Sequence, residues 1–176
     1  MNNKTIIVTM GLALSRKSVL AKELSVRTGI PFIDVDDYAA LGVPPPEPDP
    51  YGSDAARERQ RKRMAASYAA LHAMIAAKLE VGRSLIVSAS YTSRSSQEFL
   101  RQAVQENGGK LKVIFCTFDD SDSEVALRAQ NDPRLISQYY EDKKRHGGTG
   151  FPHITVNTSE NFNAVVEKAL TYVNRK

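Results

Sequence analysis

One stretch near the start of the chain decides the fold: residues 5–28 read TIIVTMGLALSRKSVLAKELSVRT. Its first six residues, Thr5–Met10, are apolar and β-branched for the most part, which is typical of a short buried strand. In its last ten residues, apolar side chains recur at intervals of three and four, the spacing of an amphipathic helix, and Gly29 follows as a helix stop. The intervening octet, Gly11–Ser18, therefore lies where a strand hands over to a helix.

The octet Gly11–Ser18 is similar to a phosphate-binding P-loop, whose pattern is Gly, four residues, Gly, Lys and then Ser or Thr. Gly11, Lys17 and Ser18 fit this pattern, but Arg16 stands at the second glycine. In such a loop, main-chain N–H groups at a helix N-terminus bind phosphate oxygens, a lysine reaches the β- and γ-phosphates, and a hydroxyl ligates Mg²⁺. The alternative is an ordinary turn with a chance Lys-Ser pair. The pattern predicts ATP binding with Ser18 as a Mg²⁺ ligand, and the nucleotide-contacting residues are Gly11, Ala13, Leu14, Ser15, Arg16, Lys17, Ser18 and Val19.

Composition indicates an ordinary globular protein, since 41% of the 176 residues are hydrophobic and 25% are charged. This length predicts a single domain over residues 1–176. No apolar run approaches the roughly 18 residues of a membrane span, and the first residues do not form a signal peptide, so we expect a cytoplasmic protein without a membrane partner. The one cysteine, Cys116, suits a reducing compartment, and the three histidines are too scattered for a metal site.

A second predicted strand, residues 31–34, is followed by two adjacent carboxylates, Asp36 and Asp37. Ligands gather beyond the carboxyl ends of strands in open α/β sheets. These aspartates are therefore candidates for accepting a proton from a substrate hydroxyl, or for an outer-shell role at Mg²⁺. The alternative is helix capping, because aspartate is a favoured N-cap residue, and we expect one of the pair to act in each way.

Strand and helix patterns alternate along the rest of the chain. A long alanine-rich helix covers about residues 54–80, and a buried strand at 84–91 ends in small hydroxyl residues. Further strands are predicted at 111–118 and 153–157, each followed by helical segments. This alternation predicts an α/β fold, a parallel sheet with helices on both faces and right-handed crossovers.

Two surface segments leave their roles open. The proline-rich residues 41–54 exclude a helix, and they form either one wall of the substrate pocket or a plain surface loop. The run Arg57–Arg63 contains five basic residues in a chain of net charge +4. We interpret this run as a solvated helix face, with contact to a polyanion as the alternative.

Over nearly its whole length the chain resembles the P-loop kinases, and within them the group of polynucleotide-kinase-like and zeta-toxin-like ATP-binding proteins. The resemblance rests on the P-loop strand and helix, Asp36-Asp37-Tyr38 after a strand, the alanine-rich helix, an arginine-bearing helix, and Asn157-Thr158-Ser159 after the last strand. It implies a five-stranded parallel sheet of order 2-3-1-4-5, with a mobile helical lid at about residues 128–150.

The resemblance also implies roles for individual residues. Lys17 is expected to hold the β- and γ-phosphates, and Asp36 is expected to face the acceptor hydroxyl. Arg128 or Arg134 is the expected lid arginine, a residue that contributes roughly 10³ to 10⁵ in rate in related nucleotide hydrolases. The predicted catalytic residues are thus Lys17, Asp36, Arg128 and Arg134, and the predicted substrate-binding residues are Asp36, Asp37 and Ser88.

Three positions depart from the family pattern. Arg16 replaces a P-loop glycine, and Ser88 stands where relatives carry a carboxylate near the metal. Ala39 stands where they often carry an arginine for a substrate phosphate. Each departure weakens a catalytic part and spares the fold.

The resemblance implies an ATP-dependent phosphotransferase that moves the γ-phosphate to a hydroxyl of a small molecule or nucleotide. Two alternatives stay open: a non-catalytic nucleotide-binding or regulatory protein on a kinase fold, and a polynucleotide 5′-hydroxyl kinase that uses Arg57–Arg63. The expected partners are a nucleoside triphosphate and a hydroxyl-bearing acceptor, and nucleic acid is not favoured.

Overall fold

A computed structural model of the chain describes residues 4–46 and 53–175. Strands and helices alternate along these residues, as the sequence predicts. Their bounds are β1 Thr5–Met10, α1 Lys17–Thr28, β2 Phe32–Asp34, α2 Asp54–Glu80, β3 Leu85–Ala89, α3 Arg94–Glu106, β4 Lys110–Thr117, α4 Asp122–Arg128, α5 Pro133–Arg145, β5 His153–Asn157 and α6 Phe162–Asn174. Residues 47–52 of the predicted proline-rich loop lie outside the described residues.

The strands form one parallel sheet in the order β2-β3-β1-β4-β5, which confirms the predicted topology. β1 lies in the middle, where Val8 is in register with Val87 of β3 on one side and Val113 of β4 on the other. Because β1 is covered by strands on both sides, the loop after it opens at the centre of the sheet's carboxyl edge. That edge is where open α/β sheets bind ligands.

Helices cover both faces of the sheet, as predicted, because successive residues of a strand point to opposite faces. On one face, Ile6 and Val8 pack with buried residues of α2 and α3, including Leu71 and Leu100. On the other face, buried strand residues pack with α1 and α6: Ile7, Leu20, Leu24, Ile114, Val156, Val165 and Val166. The two cores pack around β1 and α1 and so position both ends of the octet.

The bounds of two elements are set by a turn residue and by a capping residue. β3 stops at Ala89 instead of residue 91, because Tyr91 adopts φ 45° and turns the chain while its ring stays buried. α6, the helical segment predicted after the last strand, starts at Phe162, because the Oδ1 atom of Asn161 accepts a hydrogen bond from the N–H of Ala164 and caps the helix. None of the helices in the described part of the chain is long and apolar enough to cross a membrane.

Candidate active site

The first residue of the octet, Gly11, cannot carry a side chain. Its φ of 152° lies outside the range that other residues adopt, and a Cβ atom there would lie 2.4 Å from the carbonyl oxygen of Cys116. It would also lie 2.9 Å from the Oγ atom of Ser15. The loop therefore packs tightly against the end of β4, at the carboxyl edge of the sheet.

Arg16, the residue that breaks the P-loop pattern, adopts the backbone shape that glycine takes without cost. It has φ 55° and ψ 22°, the left-handed region, immediately before α1. Leu14 lies in the same region with φ 66°. A left-handed conformation costs a residue with a Cβ atom roughly 1–2 kcal/mol. The loop thus keeps a glycine-like path at the expense of strain, with the Arg16 side chain exposed.

The start of α1 presents free hydrogen-bond donors. The main-chain N–H groups of residues 16–19 have no acceptor among the described residues, and no side chain caps the helix. These are the four donors that the start of any helix leaves unpaired, and they lie at the positive end of the helix dipole. The buried Oγ atom of Ser15 also lacks a partner in the described part. The arrangement suits a phosphate group, whose oxygens accept such hydrogen bonds.

Lys17 and Ser18, the last two residues of the octet, are the predicted phosphate-binding and metal-binding side chains. The Nζ atom of Lys17 reaches back over the loop and donates to the carbonyl oxygen of Leu12 at 3.4 Å. The Oγ atom of Ser18 lies 3.0 Å from the Oγ atom of buried Ser88 at the end of β3. This hydroxyl pair fits Mg²⁺ that is carried largely by nucleotide phosphates, which is how proteins commonly hold this ion. No group of three or more His, Cys, Asp or Glu side chains suited to a metal occurs among the described residues.

Asp36 and Asp37 point to different partners. The Oδ1 atom of Asp37 accepts a hydrogen bond from the N–H of Ala40 at 3.1 Å, so this carboxylate stabilises its own turn. The Oδ1 atom of Asp36 accepts a hydrogen bond from the hydroxyl of Tyr38 at 3.1 Å. The main-chain N–H of Asp36 donates to the Oδ1 atom of Asp34, which fixes its position after β2.

The surroundings of Asp36 disfavour its ionised form. Although the side chain keeps an exposed surface, the protein around it limits its solvation, and this raises the pKa of the carboxyl group above 3.8. The negative charge of Asp34 raises the pKa further, while the positive charge of Lys17 and the Tyr38 hydrogen bond oppose the rise. A carboxylate with a raised pKa, near the lysine of a phosphate loop, is suited to accept a proton.

The side chain of Arg128 is almost fully buried, with 4% exposed, and the protein uses all five of its N–H donors. Its Nε atom donates to Glu124 at 2.6 Å, and Nη1 donates to the Leu14 carbonyl at 3.1 Å and the Thr158 hydroxyl at 3.0 Å. Its Nη2 atom donates to the Thr158 carbonyl and the Ser159 hydroxyl. Arg128 therefore joins the phosphate loop to the loop after β5.

The other predicted lid arginine, Arg134, lies in α5, and its side chain is outside the part that the structure describes. α5 itself is attached to the turn after β4. The hydroxyl of Tyr139 donates to Asp120 at 3.0 Å, and Lys143 forms an ion pair with the same carboxylate.

Arg63 was missed as a site residue. Its neighbours in the basic run are solvated, since Arg61 is 74% exposed and pairs with Glu58. Arg63 instead turns inward and lies over the ring of Tyr38, 4.7 Å from its centre. A sequence signal exists: Arg63 and Ser67 continue, at every fourth position, the line of buried α2 residues Leu71, Ile75 and Leu79.

A cavity of about 670 Å³ lies at the opposite edge of the sheet, near Thr5, Ile30 and Ser84. These residues stand at the amino ends of strands, far from the octet. Ligands of open α/β sheets bind at the carboxyl ends, so the chemistry is better sought at the octet.

A family model described as an AAA domain matches residues 6–146. The chain belongs to this AAA-domain family. No protein of curated function matches the sequence significantly. The matched region of the AAA-domain family contains the octet, Asp36, Arg63 and Arg128.

Solved structures share the fold across nearly the whole chain. A gluconokinase from Sinorhizobium meliloti 1021 is 22% identical with a TM-score of 0.65, covering 98% of this chain and 91% of that one. The APS kinase CysC of Mycobacterium tuberculosis, in complex with AMPPNP and APS, is 15% identical with a TM-score of 0.61, covering 98% and 99%. Kti12 of Chaetomium thermophilum, in complex with ADP-AlF3, is 14% identical with a TM-score of 0.64, covering 97% and 100%. These likenesses confirm a P-loop kinase fold, and the narrower polynucleotide-kinase-like or zeta-toxin-like resemblance stays a prediction.

Proposed function

We propose that the chain is an ATP-dependent phosphotransferase that moves the γ-phosphate of ATP to a hydroxyl of a small-molecule acceptor. One observation carries the proposal: the free N–H groups at the start of α1 and the Asp36 carboxylate lie at the same edge of the sheet. A site that only binds nucleotide needs the first feature, whereas phosphoryl transfer to a hydroxyl needs both.

On the nucleotide side, the N–H groups of residues 16–19 would bind phosphate oxygens, and Lys17 would leave its Leu12 contact to pair with the β- and γ-phosphates. Ser18 would hold Mg²⁺ with its hydroxyl, oriented by Ser88. When bound, Mg²⁺ would neutralise charge on the β- and γ-phosphate oxygens. The predicted contacts of Gly11, Ala13 and Leu14 are main-chain contacts in this arrangement.

On the acceptor side, Asp36 would accept the proton of the attacking hydroxyl, and Tyr38 would orient the carboxylate through its hydrogen bond. Asp37 would support Asp36 by holding the turn. A raised pKa makes the carboxylate a better proton acceptor, because its ionised form is poorly stabilised by its surroundings.

We further propose that residues 128–150 act as a lid within a single domain, as predicted from the sequence. Arg134 is the better candidate for an arginine that reaches the phosphates, because the five donors of Arg128 already have acceptors. Arg128 would then act by holding Leu14 in place.

The test compares wild type with Lys17→Ala, measuring calorimetric binding of Mg²⁺ with AMPPNP and transfer of labelled γ-phosphate across a panel of polyols, hydroxy acids and nucleosides. Lys17→Ala should weaken binding about 10-fold or more and abolish transfer, since hydrogen bonds to charged groups contribute about 1.5–3 kcal/mol. Lys22→Ala, an exposed lysine on α1, is the control and should resemble wild type. Equal affinity in wild type and Lys17→Ala would refute the assignment of the octet.

The second candidate function is a nucleotide-binding regulatory protein on the same fold. The observation that favours it is the hydroxyl of Ser88 at a position where the resemblance leads us to expect a carboxylate, because a neutral ligand holds a divalent metal less strongly. Kti12 shares this fold. Saturable binding of the ATP analogue without transfer to any acceptor in the panel would select this function over the first.

The third function that the sequence leaves open is that of a polynucleotide 5′-hydroxyl kinase. It requires the exposed arginines of Arg57–Arg63 to contact phosphates of a strand, so its binding should fall steeply with salt. Weak binding of an oligonucleotide that does not change with salt would exclude it.

A further inference from the structure

The guanidinium of Arg63 is buried without a hydrogen-bond acceptor. Its Nε, Nη1 and Nη2 atoms are shielded from solvent, and none has an acceptor within 3.5 Å and at a suitable angle in residues 4–46 and 53–175, although the hydroxyl of Tyr38 lies near enough to interact with them. This group carries five N–H donors and a permanent positive charge, so leaving it unpaired is costly. Arg128, in the same protein, has an acceptor for every donor. The donors of Arg63, unlike those of Arg128, are therefore available to an anion from outside the protein.

Arg63 packs against Tyr38, a residue of the proposed acceptor site. Its guanidinium lies 4.7 Å from the centre of the Tyr38 ring, and the hydroxyl of Tyr38 donates to Asp36. An arginine that lies over an aromatic ring keeps its N–H donors available, in a planar fork that matches a carboxylate or a phosphate. No ion pair joins Arg63 to Asp36 within the described residues, although the positive charge of Arg63 is near enough to oppose the rise in the pKa of this carboxyl group.

A second unpaired polar group lies beside the first. The Oγ atom of Ser67 is completely buried and has no partner in the described part of the chain. Ser67 follows Arg63 by four residues in α2, so the two side chains are neighbours on the helix surface. On its other side, Arg63 borders a cavity of about 250 Å³ lined by residues that include Val43, Pro45 and Gln60. Arg63 thus brings donors for an oxyanion to the wall of this cavity, and Ser67, which does not line it, places a second buried polar group one helical turn away.

The anion at Arg63 is distinct from the nucleotide phosphates. Those phosphates would lie on the N–H groups that start α1, whereas Arg63 belongs to α2 and lies over the ring of Tyr38, whose hydroxyl donates to Asp36. A group bound at Arg63 would therefore belong to the molecule whose hydroxyl faces Asp36.

We propose that Arg63 and Ser67 form an anion subsite, and that the acceptor is a hydroxyl compound that also carries a carboxylate or a phosphate. The identity of this ligand as the acceptor rests on the proposed phosphotransferase function, whereas the existence of the anion subsite does not. Arg63 would clamp the anionic group with two N–H donors and so hold the hydroxyl at Asp36.

The first experiment tests the subsite without nucleotide. In ¹⁵N-labelled protein, the Nε–Hε resonance of Arg63 is assigned by its loss in Arg63→Lys, and sodium phosphate or sodium acetate is titrated against sodium chloride at equal ionic strength. A saturable shift of the Arg63 resonance, with the Arg61 resonance unmoved, is the expected result. Equal response of Arg63 to chloride and to both oxyanions would overturn the proposal.

The second experiment identifies the acceptor class in protein saturated with Mg²⁺ and AMPPNP. Calorimetry compares the affinity for gluconate with that for sorbitol, and the affinity for glucose 6-phosphate with that for glucose. The pair in which the anionic compound binds more tightly shows whether the subsite takes a carboxylate or a phosphate. Arg63→Gln should lower the affinity for the anionic compound that binds more tightly by about 10- to 100-fold, since charged hydrogen bonds are lost. The affinities for its neutral counterpart and for AMPPNP should not change. Arg61→Gln, which removes the same charge from an exposed position, is the control.

The outcomes separate the two proposals. If AMPPNP does not bind wild type, the phosphotransferase function fails, and the resonance titration still decides the subsite. If AMPPNP binds but Arg63→Gln and wild type bind each anionic compound equally, the subsite is wrong and the nucleotide site stands. The thermal midpoint of Arg63→Gln without ligand should not be lower than that of wild type, because a buried unpaired charge has been removed; a marked fall would assign Arg63 a structural role instead.

Discussion

Replacement of Arg16 by glycine should stabilise the protein, because the residue already adopts a glycine-like conformation. The left-handed backbone of Arg16, with φ 55°, costs a residue with a Cβ atom roughly 1–2 kcal/mol. Glycine removes this strain but adds about 0.4–1 kcal/mol of chain entropy to the unfolded state. The net gain is about 0.5–1 kcal/mol, which corresponds to a rise of about 2 °C in the thermal midpoint of a chain of this size.

The same substitution should leave nucleotide affinity nearly unchanged. If the N–H groups after Arg16 already have the arrangement of a phosphate loop, glycine adds no new donor, and the dissociation constant for Mg²⁺ with AMPPNP should change less than about 3-fold. Exposed charges contribute weakly to binding at physiological salt, so loss of the arginine charge has a small effect.

Two control variants separate strain from charge in this experiment. Arg16→Ala removes the charge and keeps the strain, and Arg16→Lys keeps both. Differential scanning calorimetry should give a higher midpoint for Arg16→Gly than for either control. Equal midpoints for the glycine and alanine variants would refute the strain argument. A gain of 10-fold or more in affinity for Arg16→Gly alone would show that the wild-type loop is not arranged for phosphate.

Two further predictions concern Asp36 and Arg128. Asp36→Asn should abolish phosphoryl transfer and raise the thermal midpoint at pH 7: the folded-state pKa of Asp36 is raised, so its ionised form destabilises the fold. This difference in thermal midpoint between variant and wild type should vanish below pH 3.8, where the carboxyl group is protonated in both the folded and the unfolded state. A variant midpoint at pH 7 below that of wild type would contradict a raised pKa of Asp36. Arg128→Gln should cost about 3 kcal/mol in urea unfolding, because a buried ion pair loses one partner, whereas Arg27→Gln, which disrupts an exposed pair with Glu23, should cost under about 1 kcal/mol. Equal costs would show that the Arg128 contacts are not stabilising.

The strands and helices follow from local patterns, which is why they could be predicted from the sequence. Thr5–Met10 and His153–Asn157 occupy the predicted residues, because a buried strand of a parallel sheet is an uninterrupted run of β-branched and apolar side chains. The helix stop at Gly29 is confirmed, since Gly29 adopts φ 69° and its N–H donates to Ser25. The strand order was implied by the family resemblance, because alternation alone does not fix which strands are neighbours.

The site depends on contacts that local patterns do not contain. Arg128 contacts Leu14 across 114 positions of sequence, so nothing near Arg128 shows that its donors are used. The basic run around Arg63 predicts a solvated face, which Arg57 and Arg61 form, with 52% and 74% of their side chains exposed. Only the packing of α2 against the segment after β2 turns Arg63 inward. The mismatch at Arg16 is visible in the sequence, but its backbone conformation is not.

The acceptor side of the cleft bears on the choice between an enzyme and a nucleotide-binding regulator. A regulator needs the N–H groups at the start of α1 and Lys17, and it gains nothing from a carboxylate whose ionised form is disfavoured or from a buried arginine without an acceptor. Both features lower the stability of the protein, and both lie together around Tyr38. Groups that reduce stability without a ligand are expected where a ligand or a reaction uses them. Their presence beside the phosphate loop favours phosphoryl transfer over binding alone, and restored stability without loss of activity in Asp36→Asn would remove that argument.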